Sequence, residues 1–195
     1  MDTYDNNTVQ KAIEALQRGE LILISDDTER ENEGDLVMAG EMVTQEKIAF
    51  IVKHTSGIIV IPMTKQRLEA LNLPLMVENN TDPFRTAFTV SVDYKYGTTT
   101  GMSASDRAKT IKALADDNVK PSDFSRPGHI FPLQYTEGGV LKRAGHTEAS
   151  IDLLKMANMK PVATICEVIN DKGEKASGKE LEKFSKEHGI LKINI

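Results

Sequence analysis

Ten consecutive residues, Asp26-Asp27-Thr28-Glu29-Arg30-Glu31-Asn32-Glu33-Gly34-Asp35, constrain this chain more than any other stretch, because six carboxylates stand there against one arginine. The segment carries −5, the formal net charge of the whole 195-residue chain, and the other 23 acids and 23 bases cancel. Carboxylates occupy positions 27, 29, 31, 33 and 35. In extended backbone they would share one face at a repeat of about 7 Å and repel one another. A solvated turn, with water screening the repulsion, is the ordinary fate of such a run. Two features argue for more. The flanks, residues 21–25 and 36–39, are apolar and read as buried strands, so the loop is held at the end of a packed sheet. Gly34 permits a close backbone approach or a positive φ. A hard divalent cation is the natural compensating charge, since oxygen ligands suit Mg²⁺ or Mn²⁺. The spacing of a calcium-binding hand is absent.

A chain of this length supports one substantial core, so a single compact domain over residues 1–195 is expected. Aromatics make up 5% and tryptophan is missing, which argues against a stacking platform for sugars or bases. The negative charge disfavours nucleic acid as a partner. No apolar run approaches the roughly 20 residues that span a bilayer, and the polar start Met1-Asp2-Thr3-Tyr4-Asp5 does not resemble a secretory signal. No membrane partner is expected, and a cytoplasmic location is. The lone Cys166 has no internal disulfide partner, fits a reducing compartment and reads as a small buried apolar residue.

Periodicity places the elements. Val9, Ile13 and Leu16 at helical spacing predict a helix over 8–18, capped by Thr8. Further helices are expected over 44–54 (with Ile48, Ile51 and Val52 on one face), 64–71, 105–115 and 147–156. Strands are expected at 21–25, 36–39, 57–62 (ended by Pro62), 88–92, 129–133, 162–169 and 190–193. Ser177-Gly178-Lys179-Glu180 has a capping-box pattern and opens a last helix. Strands and helices mix without strict alternation, which favours α+β: a mixed sheet flanked by helices.

A second constellation is basic. Arg126-Pro127-Gly128-His129 and Lys142-Arg143-Ala144-Gly145-His146-Thr147 hold two of the four histidines, with Glu137 the only acid between 126 and 146. Gly145-His146-Thr147 precedes an apolar-periodic helix, where backbone N–H groups and the dipole attract phosphate and Arg143 adds charge-assisted bonds. Thr147 as a plain helix cap is the alternative. His129 and His146 border glycines near this anion site, whereas His54 and His188 read as structural. Glu167 interrupts an apolar strand, so it must be paired, edge-exposed or tuned for proton transfer.

These strings also carry a resemblance. Arg30-Glu31-Asn32-Glu33-Gly34-Asp35, Met76-Val77-Glu78-Asn79-Asn80, Thr99-Thr100-Gly101 with Ser105-Asp106-Arg107, Arg126 through Leu133 and Gly145-His146-Thr147-Glu148-Ala149-Ser150 closely resemble the 3,4-dihydroxy-2-butanone 4-phosphate synthase family. The match runs in order from about residue 8 onward. It implies an α+β homodimer that uses Mg²⁺ (or Mn²⁺) to convert D-ribulose 5-phosphate into the butanone phosphate and formate in riboflavin biosynthesis. It implies that Glu31 and His146 bind metal. It also implies that Arg30, Glu31, Asp35, the run Arg143, Ala144, Gly145, His146, Thr147, and Glu167 hold the sugar phosphate. His129 and Glu167 would carry the proton transfers. The chemistry needs a proton removed beside the C2 carbonyl, a skeletal shift and loss of one carbon; a metal would steady the enediolate charge. Thr28 stands where many members have an acid, and no Cys occupies 59–61, where many carry one. No cyclohydrolase segment follows, so a monofunctional enzyme is expected. A metal-dependent pentose-phosphate isomerase or epimerase needs similar chemistry, and a phosphometabolite-binding module without catalysis is the reading from another class.

Overall fold

The structure, a computed structural model, describes residues 6–195 apart from residue 28. The polar start and Thr28 therefore lie outside the described residues. Helix α1 (Asn6–Gln17) leads into β1 (Ile22–Ser25) and β2 (Gly34–Ala39), an antiparallel pair joined by the acidic loop. Next come α2 (Gln45–His54), β3 (Val60–Met63), α3 (Lys65–Ala70), β4 (Val92–Tyr94) and α4 (Ala104–Ala115). The chain closes with β5 (Phe124–Gln134), α5 (His146–Met156), β6 (Ala163–Glu167), α6 (Lys179–His188) and β7 (Leu191–Asn194). The seven strands form one sheet in the order β4-β5-β3-β6-β2-β1-β7. Its β5/β3 and β1/β7 pairs are parallel and the rest antiparallel, so the expected α+β mixed sheet is what the chain builds.

Alternate residues of the central strands feed two cores. Leu23, Leu36, Met38 and Cys166 face one layer with Ile48, Ile51 and Ile111 of α2 and α4. Ile22, Ile24, Val37 and Ile165 face the other with Ala12, Leu16, Ile151 and Leu154 of α1 and α5. A sheet covered on both sides explains why the strands read as continuous apolar runs. Side chains fix the helix starts: the Thr44 hydroxyl accepts from the Lys47 N–H, Thr64 from Arg67 and Ser103 from Asp106. Among the described residues no helix is long and apolar enough to cross a membrane.

Several expectations are corrected. Helix α1 already begins at Asn6, so Thr8 lies inside it rather than capping it. Val9 and Val52 turn outward, while Ile48 and Ile51 are buried. Pro62 does not end its strand. In β3, residues 59, 61 and 63 face β5, so the N–H that Pro62 lacks falls on the β6 side, where β3 meets its neighbour only at Val60 and Met63. Residues 88–92 are not a strand; Phe88 and Thr89 make isolated bridges and β4 starts at Val92. Pro132 explains this, because its missing donor lies on that side of β5 and regular pairing cannot form. Helix α6 starts behind Gly178 without a side-chain cap, and only the return arm of the box is made, from the Ser177 N–H to the Glu180 carboxylate at 3.3 Å.

Candidate active site

The acidic loop is coiled rather than extended. Asp26 is its hub: one carboxylate oxygen accepts from Arg30 Nη1 at 2.7 Å and the Glu31 N–H at 3.2 Å, the other from the Glu33 N–H at 2.9 Å. Burial alone would raise the Asp26 carboxyl, but the Glu33 N–H and Arg30 outweigh it and hold it below the usual range. Arg30 also reaches Glu31 at 3.0 Å and lies 5.9 Å from the centre of the Phe84 ring. The coil leaves Asp27 and Glu29 exposed and turns Glu31, Glu33 and Asp35 inward. Gly34 serves by close approach and not by positive φ, since a Cβ there would stand 2.8 Å from Leu181 of α6.

Strand β2 carries Asp35 opposite Glu167 at the end of β6. Burial, then Glu167, pushes the Asp35 carboxyl well above its ordinary value. Burial and the hydrogen bond to Glu31 push Glu33 up to about 8. Like-charged groups have been crowded together out of water.

The opposite wall is the start of α5. Gly145 is its N-cap and makes no side-chain bond, and Thr147, buried in the first turn, is not the cap. First-turn N–H groups thus remain an anion site. A Cβ on Gly145 would fall 2.3 Å from Arg143 Nη1 and 3.0 Å from Arg30 Nη2, so two guanidinium groups converge there. His146 is buried, and burial holds its imidazole below the usual value, with Asp26 opposing. Its Nε2 and Asp35 Oδ1 are buried without a protein partner.

These walls enclose a cavity of about 380 Å³. Arg30, Glu31, Glu33, Asp35 and Lys175 line one side, Arg143, His146 and Thr147 another, with Glu167 and Cys166 between. Lys175 donates to the Glu31 carbonyl. Ligand atoms of Asp26, Glu31 and His146, and likewise of Glu33, Asp35 and His146, lie within 4.8 Å of one another. Carboxylate oxygens with one imidazole suit a hard divalent cation, and the orphaned Nε2 and Oδ1 atoms are the vacant valences such an ion satisfies. The residues fit.

The family model for 3,4-dihydroxy-2-butanone 4-phosphate synthase matches residues 10–195. The chain belongs to that family. It is similar to the 3,4-dihydroxy-2-butanone 4-phosphate synthase of Agrobacterium fabrum, 51% identical over 96% of this chain and 88% of the relative. A bifunctional riboflavin biosynthesis protein of Arabidopsis thaliana, chloroplastic, is 52% identical over 97% of this chain but only 35% of its own length. A solved 3,4-dihydroxy-2-butanone 4-phosphate synthase in complex with two magnesium ions superposes with a TM-score of 0.89 at 43% identity, over 95% of this chain and 92% of that one. Membership in the 3,4-dihydroxy-2-butanone 4-phosphate synthase family makes this chain a lyase of riboflavin biosynthesis acting on ribulose 5-phosphate, and sets aside the isomerase and binding-module alternatives.

The fold brings together most of the residues singled out in the sequence. Arg30, Glu31, Asp35, Arg143, His146, Thr147 and Glu167 all line the cavity. Ala144 is exposed and Gly145 buried beside the guanidinium tips. Glu167 is exposed at the end of β6. His129 does not line this cavity. It stands on β5, where Asp93 accepts from its backbone N–H at 3.0 Å and meets its Nδ1 at 2.7 Å. Sequence reasoning missed Asp93, because only strand register brings it to His129. It also missed Lys175 and the bond from Arg143 to Glu148. His54 and His188 pack with Phe50 and Phe184 in an aromatic cluster away from the site. Cys166 is buried as expected, yet its sulfur accepts from the Thr55 hydroxyl at 3.0 Å and borders the cavity; burial pushes its thiol up.

Proposed function

We propose that this chain converts D-ribulose 5-phosphate to L-3,4-dihydroxy-2-butanone 4-phosphate and formate, using Mg²⁺ (or Mn²⁺), as a cytoplasmic homodimer. One observation carries the reading: the inward carboxylates of the acidic loop and the anion-binding start of α5 meet in a single cavity, with His146 shared between them. The phosphate is held by Arg143, Arg30, Thr147 and the first-turn N–H groups of α5. Glu31 and His146 hold the metal, and Asp26, Glu33 or Asp35 complete its oxygen shell. Bound there, the ion supplies positive charge where the sugar's carbonyl and neighbouring hydroxyl oxygens gain negative charge.

The chain's own groups move the protons. Glu167, at the cavity edge, removes the proton beside the carbonyl, and Asp35 hydrogen-bonds a sugar hydroxyl. His129 is the second proton carrier. Asp93 accepts a hydrogen bond from Nδ1–H, which leaves Nε2 free to exchange a proton. Since His129 does not line its own chain's cavity, the homodimer supplies it to the other copy. The exposed apolar side chains Ile58, Leu75, Met76, Val77, Phe84 and Met102 support such an interface.

Carbon-13 NMR of labelled ribulose 5-phosphate tests the reaction. Formate and a four-carbon phosphate are expected with Mg²⁺; a five-carbon product refutes it. Mixing His129→Ala with Glu167→Gln protein tests the dimer. Each alone is inactive, and subunit exchange restores one intact site per mixed dimer. No recovery refutes the shared site.

A further inference from the structure

Glu148 follows Thr147 in α5 and its side chain is 1% exposed. A carboxylate buried so deeply must be spent on partners. One oxygen accepts from Arg143 Nη1 at 2.8 Å and the other from the Thr136 N–H at 3.1 Å. One turn on, Asp152 accepts from the Tyr135 hydroxyl at 2.8 Å and the Val140 N–H at 2.9 Å. Two carboxylates on one face of α5 thus hold residues 135–143 at both ends and in the middle. Buried Tyr135, Val140 packed on the core and a 3-10 turn over Gly139–Leu141 add to these two anchors. Gly138 and Gly139 both have positive φ, and at the tip Leu141 is 97% exposed while Val140 beside it packs on the core.

The cost of this arrangement is electrostatic, since Glu148 offsets part of the attraction between Arg143 and an anion. The gain is order. A free arginine gives up much rotamer freedom when it grips a ligand, but a guanidinium has five donors, and the one bond from Nη1 to Glu148 fixes that nitrogen beside Gly145 with the remaining donors unspent on Glu148. Helix, histidine and arginine then move as one body.

We propose that Glu148 is a positioning residue of the phosphate site, which fixes Arg143 in its gripping geometry before substrate arrives, with Asp152 anchoring the far part of the same loop. The inference rests on Arg143 being the phosphate arm. Steady-state kinetics on the Mg²⁺-loaded enzyme test it with ribulose 5-phosphate. Glu148→Ala should raise KM about ten- to hundredfold, as for loss of a charge-assisted contact, and leave kcat within about threefold. Glu148→Asp, which keeps the charge but lacks the reach and is the variant to rely on should Ala not fold, should raise KM roughly three- to tenfold. Glu148→Gln, which keeps one acceptor but sets an NH2 donor against the Arg143 guanidinium or the Thr136 N–H, should recover only part of the loss. The double variant Glu148→Ala/Arg143→Ala should be no worse than Arg143→Ala alone. A merely structural role predicts multiplying effects and a fall in kcat, and that result overturns the proposal. A raised KM in Arg143→Ala with unchanged KM in both Glu148→Asp and the foldable Glu148 variants overturns it alone. An unchanged KM in Arg143→Ala overturns the phosphate reading as well.

Discussion

Where the acidic wall meets His146 of the facing helix, Glu33, Asp35 and His146 crowd together with Asp35 Oδ1 and His146 Nε2 left without partners, whereas in the rest of the facing wall Arg143, Glu148 and Asp152 have each found one. The basic wall is complete before any ligand binds. The acidic wall is not, and its repulsion is a cost in folding that a cation removes. One half of the site is therefore preorganised and the other is conditional. On the proposed reading, a substrate's phosphate would dock on a finished surface, while its reacting carbons would wait on the metal.

The largest effects should come from the conditional wall. His146→Ala or Glu31→Gln should lower turnover by roughly a thousandfold or more, through lost stabilisation of charge in the transition state. Activity near wild type in either would break the metal assignment. Chelation should abolish formate release and Mg²⁺ restore it, measured on the same sample.

The wall's pH dependence has a defined sign. Glu33 sits at about 8 against an ordinary value of 4.5, so the stability it contributes is full below about 4.5 and is lost as pH rises through 8. Metal-free protein should melt at progressively lower temperature across that window. Binding Mg²⁺ requires the ionised carboxylate, so the metal's increase in Tm should widen from pH 6 to pH 9. Differential scanning calorimetry with and without Mg²⁺ decides it; a metal-induced shift that shrinks with pH would contradict the account.

Effects on the finished wall should be smaller and confined to binding. Arg143→Ala should raise KM with little change in kcat, by about 1.5–3 kcal/mol of lost charge-assisted hydrogen bonding. The smallest expected change is a gain. Glu33→Gln relieves the crowding, so the metal-free protein should melt a few degrees higher while its Mg²⁺ affinity falls. No increase in Tm would mean that the repulsion is screened and the two walls differ less than their geometry indicates.

Much of this was legible in the residues. Helix starts carry local signals, and Thr44, Thr64 and Ser103 cap as their types dictate. The two-sided burial of the central strands showed as unbroken apolar runs. What failed was long-range. Pro62 read as a strand end, yet its missing donor faces a side where the strands barely pair, whereas Pro132, inside an expected strand, spoils the pairing expected of 88–92; no local rule reveals which side a proline faces. The site divides likewise. Charge crowding marked the acidic loop, and a helix start marked the anion site, but 111 positions separate Asp35 from His146. Only the sheet, which sets β2 beside β6 and α5 across them, makes one cavity of both. His129 and Asp93 needed strand register to be seen as a pair.

Gly145 has a consequence for mutational tolerance. The volume that any other side chain's Cβ would fill is already occupied by the tips of Arg143 and Arg30. Even alanine must push the Arg143 tip aside and press on Glu148 and Arg30, so it re-aims the guanidinium groups proposed to share the anion. In a saturation library position 145 should favour glycine in activity more than in folding, while Glu29, equally charged company to the site in sequence but exposed outside the cavity, should accept almost any residue.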